Sequence, residues 1–277
     1  MYGFNEQVYN TGRTEIKYVF NKGIINKDFL VVVFSGFNGP TAKIQNSYNY
    51  MRTLSTVDCN RLFILDGGPR GCYYLGKELD FEYEKAVYAL ITRIATKYNI
   101  KRENIICAGS SKGGTAALYY GIKYNYGYAL SGVPQTYIAD YIIKTCPDTT
   151  KYMLGENYTE DQKNQLNQLL FNIVDRYKST KIYFYSSEND WQYSQHLVPL
   201  LEKLNEKHIT YTAFMNHEMK NHADIANYYP EYMQNTLCTI FAEKGIKIKD
   251  FTPIDKLKNP TLLMLEIDKF RNKFKKK

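Results

Sequence analysis

The sequence predicts an α/β chain with a mostly parallel central sheet flanked by helices and a small helical cap insertion. Three observations lead there. Apolar runs bounded by turn residues alternate with helix-periodic segments, the pattern of strands covered on both faces. One run breaks into Gly109-Ser110-Ser111-Lys112-Gly113, followed by the small residues Gly114, Thr115, Ala116 and Ala117. Residues 136–179 then interrupt the alternation with helical patterns and no strand.

In chain order, Glu15 to Phe20 reads as an edge strand and Phe29 to Phe34 (FLVVVF) as a fully buried one. Arg61 to Leu65 is a third strand, ended by Asp66-Gly67-Gly68-Pro69. Glu82 to Lys97 carries Ala86, Val87, Leu90, Ile91 and Ile94 at helical spacing. Strands follow at Ile105 to Ala108, Tyr126 to Leu130, Lys181 to Tyr185 and Ile209 to Met215. Within the insertion, Tyr137 to Thr145 and Glu160 to Tyr177 read as helices, and so do His196 to Lys207 and Asp224 to Lys244 beyond it. The whole, 1–277, is expected to be one domain, with the cap at 136–179 beside the cleft and a C-terminal extension at 245–277.

Composition narrows the function classes. With 44% hydrophobic and 23% charged residues the chain has an ordinary soluble composition. No run approaches the ~18 apolar residues of a membrane span. The first residues, MYGFNEQVYNTGRTE, lack a basic-then-apolar leader, so a cytoplasmic protein is expected. Five widely spaced cysteines without CxxC argue against a disulfide framework or a zinc site, and no metal is expected. Of the net charge of +8, six positive charges fall in the last nine residues, KFRNKFKKK, leaving a nearly neutral body. That tail reads either as a peripheral contact with anionic lipid or a polyanion, or as a solubilising helix end. No basic stripe or base-stacking module accompanies it, so nucleic acid is not an expected partner. The 27 tyrosines suit a sugar-binding surface, yet a composition rich in Tyr, Asn, Lys and Ile explains them more simply.

Residues 105–117 have the form of a nucleophile elbow. A strained strand-to-helix turn raises Ser111 Oγ above the sheet, and glycines on both sides let the backbone pack closely. A Gly/Ser turn or a phosphate-binding loop would satisfy the pentapeptide alone, but neither accounts for the acidic and histidine-bearing loops downstream. An activated serine needs a base, and the base needs an acid to fix its tautomer, arriving in the order Ser, acid, His at strand ends. After strand 181–185 comes Ser186-Ser187-Glu188-Asn189-Asp190-Trp191; after strand 209–215 comes a loop holding His217 and His222. Asp190 is preferred to Glu188 as the acid. His222, where a loop meets a helix and an imidazole can reach back over the elbow, is preferred to His217. His196 and His208 lie away from the sheet's C-terminal edge and read as packing or surface histidines. Oxyanion donors are expected at the amides of Lys112 and of Phe37, in the Ser35-Gly36-Phe37 turn. Arg70, Tyr73, Tyr74 and Trp191 are candidate sugar or phosphate contacts at the same edge.

With these residues in hand, the chain resembles the α/β-hydrolase-type capsular polysaccharide O-acetyltransferases, and is similar to the glycan-acetylating domain of bacterial accessory secretion systems. The resemblance rests on FSGF at 34–37, GSSKGG at 109–114, YNY at 124–126, the PQ and DY pairs within 134–141, and MLG at 153–155. It continues through Asp190, HL at 196–197, His222 with Asp224, and Tyr229 with Glu231-Tyr232. It implies the α/β-hydrolase fold, a triad of Ser111, Asp190 and His222, acetyl-CoA as donor substrate with no bound cofactor, and a polysaccharide acceptor. The chain departs from the family in having Asn221 where a glycine commonly precedes the histidine, and in its longer basic tail. Two other functions share these features: a carbohydrate or small-ester esterase with the same triad, and a non-catalytic scaffold of a polysaccharide or secretion complex.

Overall fold

The computed structural model describes residues 5–39 and 42–244; the basic extension expected at 245–277 lies outside them. The backbone separates into two units, residues 1–236 and 237–277, and of the second only the end of one helix is described. Eight strands make one sheet: β1 Glu6–Asn10, β2 Glu15–Asn21, β3 Asn26–Phe34, β4 Cys59–Ile64, β5 Ile105–Ser110, β6 Tyr128–Gly132, β7 Lys181–Ser186 and β8 Tyr211–Met215. Their spatial order is β1-β2-β4-β3-β5-β6-β7-β8. β1 and β2 pair antiparallel, as do β2 and β4, while every other pair is parallel. The expected mostly parallel sheet is therefore present. β1, EQVYN, escaped sequence reading because it is a polar edge strand whose exposure alternates.

The helices are α1 Glu82–Lys97, α2 Lys112–Lys123, α3 Ile138–Thr145, α4 Pro147–Leu154, α5 Glu160–Asn167, α6 Leu169–Val174, α7 Val198–Glu206 and α8 Ile225–Glu243. Strand side chains alternate between faces. Leu30, Val32 and Phe34 of β3 join Ile105 and Cys107 of β5 in one core with α1 and α2. Val31, Val33, Ile106 and Ala108 are equally buried toward the opposite face. There Tyr229, in the first turns of α8, donates from its hydroxyl to Leu130 O at 2.8 Å. None of the helices among the described residues is long and apolar enough to cross a membrane.

The insertion between β6 and β7 is four short helices, α3 to α6. Sequence reading found two. The polar segment PDTTKYML hides α4, which starts on Pro147, whose fixed φ and missing N–H suit a first helical turn. The run expected from Glu160 to Tyr177 divides at Gln168 into α5 and α6. α5 opens on a capping box, with Thr159 Oγ1 accepting from Gln162 N while the Gln162 side chain accepts from Thr159 N.

Candidate active site

The parallel strands all end at one edge, and each contributes one element of the site. β5 leads directly into Ser111, held at φ 55° and ψ −125°, a conformation that costs a non-glycine residue about 1–3 kcal/mol. The surrounding glycines are required by close approach. A Cβ on Gly113 would stand 2.2 Å from Phe34 O, and one on Gly114 2.5 Å from Gly132 O. Helix α2 can thus press against the ends of β3 and β6 and aim its N-terminus at Ser111. Ser111 N donates to Gly132 O at 2.8 Å, which fixes the turn.

His222 Nε2 lies 2.9 Å from Ser111 Oγ, and its Nδ1 lies 2.7 Å from Asp190 Oδ2. An ionised carboxylate only accepts, so Nδ1 carries the ring proton and Nε2 is left to accept the Ser111 hydroxyl. Asp190 is 1% exposed, and its Oδ1 accepts from Gln192 N at 2.9 Å. The loop after β8 is shaped by Asn221, whose Oδ1 accepts from Ala223 N at 2.9 Å and caps the helical turn that presents His222. The residue that departs from the expected glycine is therefore a helix cap. Glu188 and His217 are exposed, and neither joins Ser111. His196 is a packing histidine: Nδ1 accepts from Tyr137 N at 3.2 Å, and burial pushes its pKa down to about 4 from the usual 6.5.

A cleft of about 720 Å³ opens over Ser111 and His222, lined also by Phe37, Asn49, Arg70 and Tyr141. The turn after β3 forms its wall. Ser35 N donates to the Tyr74 hydroxyl at 2.6 Å and Gly36 N to Asn49 Oδ1 at 2.8 Å, whereas among the described residues no acceptor takes the Phe37 amide. Arg70 Nε donates to Gln45 Oε1 at 3.0 Å, and none of the described lining residues is acidic. Trp191 is 43% exposed and stacks on Tyr141 at 6.4 Å; Tyr141 stacks in turn on Phe37 at 6.3 Å.

Tyr73 and Tyr74 require a correction. They are 1% and 0% exposed and unavailable to a ligand. Both adopt positive φ, 53° and 60°, and this left-handed pair turns the rings into the core. The Tyr73 hydroxyl donates to Gln135 Oε1 at 3.0 Å, and the Tyr74 hydroxyl donates to Ile64 O at 3.1 Å.

Sequence reading missed two features of the site. Gln135, 0% exposed, donates from Nε2 to Ser111 Oγ at 2.7 Å. Its signal was available, since it follows strand β6 at the rim. Beside the elbow, the Lys112 ammonium pairs with the Asp66 carboxylate, both buried, and lies over the rings of Tyr74 and Phe37 at 4.8 and 5.2 Å. Lys112 thereby ties the elbow to the loop after β4 and to the Phe37 turn.

A capsule O-acetyltransferase of Neisseria meningitidis serogroup A is similar over 85% of this chain and 95% of its own, with 27% identity and a TM-score of 0.74. A histidine-to-alanine mutant of that enzyme in complex with CoA matches at 25% identity and a TM-score of 0.72, over 83% of this chain and 94% of that one. Part of the glycosylation-associated protein complex Gap123 of Streptococcus agalactiae shares the fold at 19% identity and a TM-score of 0.67, covering 91% of this chain and 47% of that one. The fold is that of the α/β hydrolases, as the resemblance implied. In sequence, an accessory Sec system protein of Staphylococcus aureus (strain NCTC 8325 / PS 47) is 34% identical over 125 residues. That stretch is 44% of this chain and 22% of the relative, so the chain matches less than a quarter of that protein's length. The family model described as accessory Sec system GspB-transporter matches residues 3–242, and the chain belongs to that family.

Proposed function

We propose that this chain is a serine-dependent O-acetyltransferase, moving an acetyl group from acetyl-CoA to hydroxyls of a bacterial surface polysaccharide through an acetyl-Ser111 intermediate. The observation that carries this reading is the relay Asp190–His222–Ser111, with contacts of 2.7 and 2.9 Å. Likeness to a capsule O-acetyltransferase, a mutant of which is bound to CoA, supports the donor and the class of acceptor.

In the first step His222 Nε2 takes the Ser111 proton as Oγ attacks the thioester carbonyl. The amides of Phe37 and Lys112 hold the developing oxyanion, the Lys112 amide standing in the first turn of α2, where N–H groups have no partner within the helix. The C–S bond breaks, and the thiolate of CoA receives the proton from His222. In the second step a sugar hydroxyl gives its proton to His222 and attacks the acetyl carbonyl, and Ser111 leaves with that proton. Arg70 supplies positive charge for the phosphates of the donor or for an anionic acceptor. The four-helix insertion acts as a cap that shapes the cleft through Tyr141, Thr145 and Cys146. In this reading the chain works in the cytoplasm, where acetyl-CoA is made, and its basic end offers a contact to anionic membrane.

Mass spectrometry of the protein after incubation with acetyl-CoA tests the proposal. One acetyl group on Ser111, lost in Ser111→Ala and discharged by added polysaccharide, is the expected result. Acetate released at full rate without any acceptor sinks the transferase and leaves an esterase. No modification in folded protein sinks the acyl-serine mechanism.

A further inference from the structure

Ser111 Oγ has a second neighbour besides His222. Gln135 Nε2 donates to it at 2.7 Å and to Gln192 Oε1 at 3.1 Å, while Gln135 Oε1 accepts from the Tyr73 hydroxyl at 3.0 Å. These contacts set the orientation of the amide. Two acceptors face the nitrogen, which has two protons, and one hydroxyl donor faces the oxygen. The backbone is held as well: Gln135 N donates to Thr115 Oγ1 at 2.8 Å, and Thr115 Oγ1 donates to Gln135 O at 2.9 Å. Gln192 N donates to Asp190 Oδ1 at 2.9 Å, so the contacts close into a ring. One arm runs from Asp190 through His222 to Ser111 Oγ, and the other from Asp190 through Gln192 and Gln135 to the same oxygen.

The geometry points to Gln135 as a further catalytic residue, a fixed amide donor to the oxygen of Ser111, with Tyr73 as the positioning residue that orients it. The inference rests on the acyl-serine reading above. With its own proton directed at His222, Oγ has lone pairs to spare, and Gln135 occupies one. As the proton moves to His222 the oxygen gains negative charge, and the bond from Nε2 becomes charge-assisted and stronger. Once Oγ is acylated it is an ester oxygen, a weak acceptor, and the bond relaxes. When the acceptor hydroxyl attacks, the O–C bond to Oγ breaks, charge returns to it, and the bond from Gln135 strengthens again. The donor therefore favours both transition states over both resting states. Gln135 is wholly buried and held at every polar atom, so it needs no reorganisation to do this.

The test is the second-order rate at which a fluorophosphonate probe labels Ser111, followed across pH in the full chain. Wild type, Gln135→Met and Tyr73→Phe are compared, with Ser111→Ala as the control for site. Gln135→Met keeps the length of the side chain and removes the donor. Its plateau rate is expected to fall roughly 10- to 100-fold with the pH midpoint unchanged, because the base and its carboxylate stay in place. Tyr73→Phe removes one hydroxyl and is expected to lose about 3- to 10-fold. Should Gln135→Met fail to fold, Tyr73→Phe carries the test, and labelling at the wild-type rate there overturns the inference. A wild-type rate in folded Gln135→Met overturns it too. So does a lowered rate whose midpoint has moved, since that marks a disturbed Asp190–His222 pair. Wild type that does not label at all overturns the acyl-serine reading and this inference together. Wild type that labels normally beside an unaffected variant overturns this inference alone.

Discussion

Two carboxylates lie buried beside the elbow, and each holds one basic side chain. Asp66 accepts from the amides of Gly67, Cys72 and Tyr74 at 2.8 to 3.0 Å and from the Lys112 ammonium. Its partner Lys112 is 1% exposed, and its ammonium lies over the rings of Phe37 and Tyr74. Asp190 accepts from Gln192 N and from His222, whose other nitrogen faces Ser111 and the cleft. The first pair is closed on itself and can only hold the loops in place. The second can pass a proton onward because its base has a second acceptor site. Burial of a charged pair does not by itself mark a catalytic group; what sets the second pair apart is its open valence toward the cleft.

The contrast breaks most sharply at Asp190. Asp190→Asn keeps the shape but offers an amide in place of a carboxylate, which favours the wrong imidazole tautomer. A loss of roughly 10⁴-fold in acetyl transfer is expected, with the unfolding midpoint nearly unchanged. Retention of activity within tenfold would remove Asp190 from the relay.

Lys112→Met is expected to do the reverse. It keeps the Lys112 amide and strands a buried carboxylate, at a cost of about 3–5 kcal/mol in folding stability. The double variant Lys112→Met/Asp66→Asn should recover a good part of that. Urea unfolding of the four proteins in the cycle reads the coupling. Additive losses would show that the pair is no pair.

The smallest effect is one of pH. Burial holds His196 neutral, at a pKa of about 4, against opposing attraction from Asp140 and Asp190; His222 also acts to lower it. A neutral ring is what its acceptor bond from Tyr137 N requires. Between pH 6.5 and 4 the unfolded chain binds a proton that the folded chain does not. Stability from this group is therefore complete above 6.5 and is lost as pH falls toward 4. Denaturant unfolding at pH 7 and pH 5 should differ by about 1–2 kcal/mol from this source, and His196→Asn should flatten the slope. An unchanged slope would assign the pH dependence to other groups.

How much of this was legible differs from residue to residue. The strands from β3 to β7 and helix α1 announce themselves through Leu30, Val32, Leu90 and their neighbours, because an apolar period is a local property of the chain. The elbow is equally local, since Gly109, Gly113 and Gly114 stand where backbone must touch backbone. Order after successive strands picked out the two loops that hold Asp190 and His222, and the meeting of loop and helix at His222 favoured it over His217. Tyr73 and Tyr74 mislead because a loop beside a glycine-rich turn looks exposed, and nothing in the letters shows two consecutive left-handed residues.

Sequence periodicity and turn chemistry thus specified the wound sheet, the elbow at Ser111 and the loops that carry its partners. Tertiary packing brought Asp190 and His222, the residues the sequence favoured, into one line of contacts with that serine and left Glu188 and His217 exposed. It also assembled the ring through Gln135 and Gln192 and paired Lys112 with Asp66, 46 residues away. The physical reason is range. Propensity and hydrophobic period act within a few residues along the backbone, whereas a hydrogen bond across the rim depends on where five separate strands end.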